Sequence, residues 1–146
     1  MADDAPTRGE RNNNPGNINE GGGWDGDLGL EIVPAGYDYQ PRFARFDTAQ
    51  NGMRAIAKQL LAYQQRHGLN TVRGMINRWA PPSDDNDTSA YVDEVCAKVG
   101  VGPDDAIDLT DLPTIQNMVT GVIFQENGRV LYAPDLITAA CQSALA

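Results

Sequence analysis

The sequence predicts a mostly α domain (α+β), with a helical core and one small β-hairpin. Three observations carry this. From Asp47 onward, apolar residues recur at i, i+3 and i+4 in a series of segments, each preceded by a capping residue. Residues 24–47 show a weak alternation instead. The segments are separated by stretches rich in Gly, Pro, Asn or Asp. A chain of 146 residues with 41% hydrophobic and 21% charged residues has the size and composition of one domain with a real core.

Residues 1–9 read as a flexible N-terminus, and residues 10–23 as turn, from their Asn and Gly content. Leu28, Leu30 and Ile32, then Phe43 and Phe46, suggest an irregular hairpin pairing 28–33 with 39–46, with Pro41 at an edge. Asp47 or Thr48 caps an amphipathic helix carrying Met53, Ile56, Ala57, Leu60 and Leu61, which Gly68 ends. Thr71 caps a short helix with Val72, Met75, Ile76 and Trp79. Two prolines and an Asp/Asn run make 80–86 a loop. Asp87 or Thr88 opens a helix with Tyr91, Val92, Val95, Cys96 and Val99, stopped by Gly100. Thr110 or Asp111 caps a helix over about 112–126, and Pro134 starts the last one.

Composition excludes several functions. No window approaches about 18 consecutive apolar residues, so membrane insertion is not expected. No basic stretch followed by an apolar run opens the chain, so the expectation is synthesis in the cytoplasm without a signal peptide. The net charge is −9 and the basic residues are scattered, which argues against nucleic-acid binding. Cys96 and Cys141 lack metal-ligand spacing and read as two buried thiols. The acidic stretch Asp84, Asp85, Asn86, Asp87 lacks the Gly and terminal Glu of an EF-hand loop, so neither metal nor cofactor is expected. His67, beside Gly68, reads as solvated. No arrangement for nucleophilic acyl chemistry is present.

The most informative residue is Glu126. Leu112, Ile115, Met118, Val119, Val122 and Ile123 form the inward stripe of its helix, and the next inward position is 126. Burial raises the pKa of a carboxyl, and the negative end of a helix raises it further. A Glu that keeps its proton near neutral pH can act as a general acid. The alternative is a side chain turned to solvent or paired with an Arg such as Arg129. The run Arg11-Asn12-Asn13-Asn14-Pro15-Gly16-Asn17-Ile18 is a rigid turn dense in amides, which bond either sugar groups or backbone.

The Asn-Asn-Pro-Gly-Asn-Ile run, Trp24-Asp25-Gly26, Phe43-Ala44-Arg45-Phe46-Asp47 and Gly52-Met53-Arg54 resemble the middle of the flagellum-associated β-N-acetylglucosaminidases. Those are peptidoglycan hydrolases with a lysozyme-like fold. The stretch from Arg78-Trp79-Ala80 to Tyr91 is similar to the part of that family carrying an active-site tyrosine. The whole series over residues 8–133 also resembles small phage virion and lysis proteins of the lysozyme-like group. One departure stands out. In the glucosaminidases the catalytic Glu ends a helix ahead of the Asn-rich turn, but here only ten residues precede Arg11. The helix ending at Glu126 resembles the missing element, which suggests a circular permutation. Glu126 should then lie beside the Asn12–Asn17 turn.

The resemblance implies cleavage of a β-1,4 glycosidic bond in bacterial peptidoglycan, with Glu126 as acid. Glu31 on the hairpin and Tyr91 stand where the family has its second group, and Asp38, Asp47 and Asp85 are alternatives. Glu10 is the competing acid, expected in a loop where nothing desolvates it. Asn12, Asn14, Asn17, Trp24, Trp79 and Asp85 are candidate substrate contacts; Asp47 and Arg54 read as structural. The expected protein is a monomer acting at the cell wall, with a delivery apparatus, a holin or an inhibitory immunity protein as further partners. A non-catalytic virion or wall-binding protein is the alternative function.

Overall fold

A computed structural model describes residues 5–146. Its elements are α1 (Arg8–Arg11), β1 (Asp27–Leu30), β2 (Ala44–Phe46), α2 (Ala49–His67), α3 (Val72–Trp79), a 3-10 turn at Pro82–Asp84, α4 (Thr88–Val99), α5 (Leu112–Asn127) and α6 (Pro134–Leu145). α2 to α5 each begin where a side chain can receive one of the first unpaired backbone N–H groups. Thr48, Thr71, Asp87 and Asp111 accept from Asn51, Gly74, Ala90 and Thr114. Gly68, Gly100 and Gly128 end α2, α4 and α5 in the left-handed conformation. α6 opens on Pro134, whose missing N–H costs nothing there.

In the main core α2 packs on α6 and α5, which also pack on each other, and α4 packs on α5 and α3. Met53, Ile56, Leu60, Met75, Ile76, Ile115, Met118 and Ile123 fill it. Cys96 and Cys141 are free thiols buried in it, and burial pushes the Cys141 thiol up to about 12. No helix among the described residues is long and apolar enough to cross a membrane.

The first part of the chain departs from its sequence reading. Of the segment expected to be flexible, residues 1–4 lie outside the described residues. Thr7, however, forms a reciprocal capping box with Glu10 and starts α1. The hairpin is shorter than expected: Asp27 pairs with Phe46 and Leu30 with Ala44 across an irregular register. The outward pair of residues in β1, Leu28 and Leu30, is exposed, as is Ile32 beyond it. The alternation thus marks a strand whose apolar side chains are not its core face. What joins the hairpin to the core is Ala44 and Phe46, packed with Ala55 of α2.

The Asn-rich turn lies against α2 at Gly52. A Cβ there would collide with the Asn13 carbonyl oxygen, so only glycine lets the helix approach this closely. Asn13 and Asn17 both adopt positive φ, at 51° and 49°, which asparagine tolerates better than other side-chain-bearing residues.

Candidate active site

A groove of about 410 Å³ opens between the Asn-rich turn, the hairpin and the ends of α3 and α5. Asn17, Trp24, Arg42, Phe43, Trp79 and Glu126 are among its lining residues. Glu126 is delivered by the last turn of α5 and held from two sides. Asn17 Nδ2 donates to Oε1 at 3.0 Å, and the Tyr91 hydroxyl donates to Oε2 at 2.9 Å. Burial raises the Glu126 pKa above the ordinary carboxyl range. The bonds from Asn17, Tyr91 and Trp79, and the charge of Arg42, offset that only in part. Tyr91 is itself buried, and burial beside Glu126 pushes its hydroxyl well above its usual value, so it remains a donor.

The end of α5 is fastened to the start of the chain. Asn127 Nδ2 donates to the Pro15 carbonyl at 2.8 Å, and Asn127 Oδ1 accepts from the Thr7 hydroxyl at 2.6 Å. Gly9 sits in this contact: a Cβ there would meet Asn127 Oδ1 and the Asn14 carbonyl at 2.8 Å and Asn17 Oδ1 at 3.0 Å. The Glu126 helix and the Asn-rich turn are therefore direct neighbours.

The two other candidate acids are held elsewhere. Glu31 is buried and takes a two-point contact from Arg8, at 2.9 Å from Nε and 2.6 Å from Nη2. It also accepts from the backbone N–H groups of Arg42 at 3.0 Å and Phe43 at 2.9 Å, and from Asn12 Nδ2 at 3.3 Å. Burial alone would raise its pKa. The Arg8 bond and the two N–H groups outweigh that and hold it down to about 2. This carboxylate ties α1 to the hairpin and does not line the groove. The Arg8 guanidinium is completed by the faces of Tyr39 and Phe43, at 3.9 and 4.2 Å.

Glu10 is not in a loop, contrary to the sequence reading. It lies on α1 and pairs with Arg129 at 2.7 and 3.1 Å, and the Arg129 bond lowers its pKa. Arg129, considered as a partner for Glu126, thus binds the competing acid instead.

Among the expected substrate contacts, Asn17, Trp24 and Trp79 line the groove; Asn12, Asn14 and Asp85 do not. Asn14 is fully buried, with its amide spent on Ile18 and Ala44 carbonyls at 2.9 Å and on the Ile18 N–H at 3.0 Å. Asp85 is the exposed, left-handed residue ending the 3-10 turn, and its neighbours Asp84 and Asn86 face the groove. Asp38 and Asp47 are exposed, and Asp47 accepts from Asn51 at 2.9 Å. Arg54 pairs with Asp25 at 3.4 Å. Sequence reasoning missed Asn19, Arg42, Gln59 and Tyr63 as lining residues. Gln59 and Tyr63 lie one turn apart on α2; Tyr63 is also buried with the core, so its sequence position reads as core, whereas that of Gln59 reads as solvent-facing. No group of three or more His, Cys, Asp or Glu side chains among the described residues is arranged to hold a metal.

No family model matches the chain. It is 37% identical over 134 residues to the protein named Protein P5 of Pseudoalteromonas phage PM2, a match covering 89% of this chain and 77% of that protein. Identity at this level over most of both chains reflects common descent, and the chain belongs to the family of phage Protein P5.

Proposed function

We propose that this protein cleaves a β-1,4 glycosidic bond of the peptidoglycan glycan strand, as a lysozyme-like muramidase, glucosaminidase or lytic transglycosylase, with Glu126 as the general acid. One observation carries the reading: a carboxyl with raised proton affinity lines an open groove, gripped by Asn17 and Tyr91. Such a group donates its proton to a leaving oxygen as the bond to the sugar breaks. Trp24, Phe43 and Trp79 supply aromatic faces of the kind that stack on sugar rings. The contact between the Glu126 helix and the Asn-rich turn supports the circularly permuted lysozyme-like arrangement.

Glu31 acts as scaffold in this reading, since its oxygens are already bonded. Tyr91, the other candidate, has its hydroxyl on Glu126, which leaves Asp84 through a water, or a substituent of the substrate itself, to meet the developing positive charge. Attack on C1 by the 6-hydroxyl of the same sugar, whose proton passes to the carboxylate left on Glu126, gives an anhydro-sugar one water lighter than the hydrolysis product, so product mass separates that route from hydrolysis. The protein reaches the wall by lysis or injection, or as part of a virion.

The test is a zymogram on purified peptidoglycan. Wild type clears the gel, and Glu126→Gln, which keeps the shape but has no proton to give, loses about a hundred-fold or more of the rate. Full activity in Glu126→Gln overturns the assignment. The second reading is a non-catalytic virion or wall-binding protein. It is favoured by descent shared with a phage protein, and by the lack, among the described residues, of a second groove carboxylate held as firmly as Glu126. Sedimentation with walls that are never cut selects it.

A further inference from the structure

Among the described residues the groove's lining holds one cation, Arg42, in a chain whose net charge is −9. Arg42 is exposed yet anchored. Its Nε donates to Asn19 Oδ1 at 3.1 Å, its guanidinium lies 5.0 Å from the Phe43 ring centroid, and its backbone N–H is fixed on Glu31 at 3.0 Å. Asn19 and Phe43 are themselves joined as a bridge pair, so both supports belong to one rigid strip of backbone. Among the described residues Arg42 makes no ion pair, and its two terminal nitrogens donate to no protein group. Arg8, by contrast, has its Nε and Nη2 spent on Glu31. A pre-oriented guanidinium with its outer edge free is the geometry that receives a carboxylate through two parallel N–H bonds.

We propose that Arg42 is a specificity-determining residue that binds a carboxylate carried by the sugar polymer in this groove. The inference rests on the glycan-cleaving reading and adds to it: the groove selects an acidic glycan over a neutral one of the same linkage. Two sources offer such a carboxylate. One is an acidic ether substituent on the sugar ring, as in strands stripped of peptide, and the other is a peptide attached to that substituent.

The experiment measures affinity and cleavage of three soluble tetrasaccharides. They are a neutral N-acetylglucosamine oligomer, a peptide-free peptidoglycan fragment with free lactyl carboxylates, and the same fragment carrying its stem peptides. Wild type should favour at least one acidic fragment over the neutral oligomer by about ten-fold, the worth of a charge-assisted bond pair. Whichever acidic fragment is favoured identifies the source. Arg42→Gln should bring the affinity ratio close to one, and Arg42→Lys, which keeps the charge without the fork, should fall between. Equal affinities in wild type, or a preference that survives Arg42→Gln, overturn the proposal. So does an equal loss on all three probes with a shifted pH profile, which makes Arg42 a modulator of Glu126 alone. Preference without cleavage keeps Arg42 in this role and removes the catalytic reading. Failure to bind any of the three removes both.

Discussion

Two opposing effects act on the Glu126 carboxyl. Burial favours the proton, and donors from Asn17, Tyr91 and Trp79 favour the charge. Burial wins, so removing a donor should move the balance further the same way. Asn17→Ala is expected to raise the Glu126 pKa beyond its wild-type value, read by carbon-13 NMR titration of the side-chain carboxyl. The alkaline limb of the proposed glycan-cleaving activity should move up with it. An unmoved titration denies Asn17 this role. The raised pKa also has a consequence for stability. Over the window between the ordinary carboxyl pKa and the raised one, the folded state binds more protons than the unfolded state, so stability falls as pH rises. Above the ordinary carboxyl range, a desolvated Glu126 is therefore a cost to the fold. Glu126→Gln should melt higher than wild type at pH 7 and lose that advantage below the ordinary carboxyl range, where both side chains are neutral. A lower melting temperature at pH 7 contradicts a desolvated acid.

At the scale of elements, Glu31 follows the opposite sign. Its folded pKa of about 2 lies below the unfolded value, so its contribution is present above the ordinary carboxyl range and lost as pH falls toward about 2. The shift corresponds to about 3 kcal/mol of pH-dependent stability, shared among Arg8, the Arg42 and Phe43 N–H groups and Asn12. Glu31→Gln should thus lower the melting temperature at pH 7 and flatten its fall in acid, both read by calorimetry. The approach of α2 to the Asn-rich turn gives a second sign to decide. Ala is worth about 1 kcal/mol over Gly in a helix interior. At Gly52 the new Cβ meets the Asn13 carbonyl, a backbone atom that cannot swing aside. Gly52→Ala should therefore destabilise, by about 1–3 kcal/mol in denaturant unfolding. α2, α4 and α5 were legible because cap, apolar stripe and terminal glycine agree within each segment, as Thr48, Ile56 and Gly68 do in α2. The inward aim of Glu126 was legible for the same reason. The clusters of Arg8 with Glu31 and Glu10 with Arg129 were not, because each joins residues far apart in the chain with no periodic signal. Asn14 and Asn17 look alike in sequence. Only the fold spends one on backbone and turns the other to Glu126.

At the scale of the whole molecule, the charge of −9 bears on how the protein meets its proposed substrate. Bacterial walls are polyanionic, and a net negative protein approaches them against a repulsive field. The groove differs locally from the overall bias, because Arg42 lies in it beside Asp84 and Glu126, whose burial favours the proton. The long-range field and the local contact thus act in opposite directions, and salt affects them unequally. Exposed charges separated by more than a Debye length, about 10 Å at 0.1 M salt, are largely screened, whereas a direct bidentate contact is screened less. Raising salt from about 0.01 to 0.15 M, across which the Debye length shrinks from about 30 to 8 Å, should therefore accelerate clearing of whole walls. The same change should weaken binding of a short acidic tetrasaccharide only modestly. Turbidity loss of wall suspensions and calorimetric titration of the oligomer measure the two separately. Activity on walls that falls steadily over this range, as attraction between opposite charges requires, means that a local basic surface and not the net charge governs the encounter.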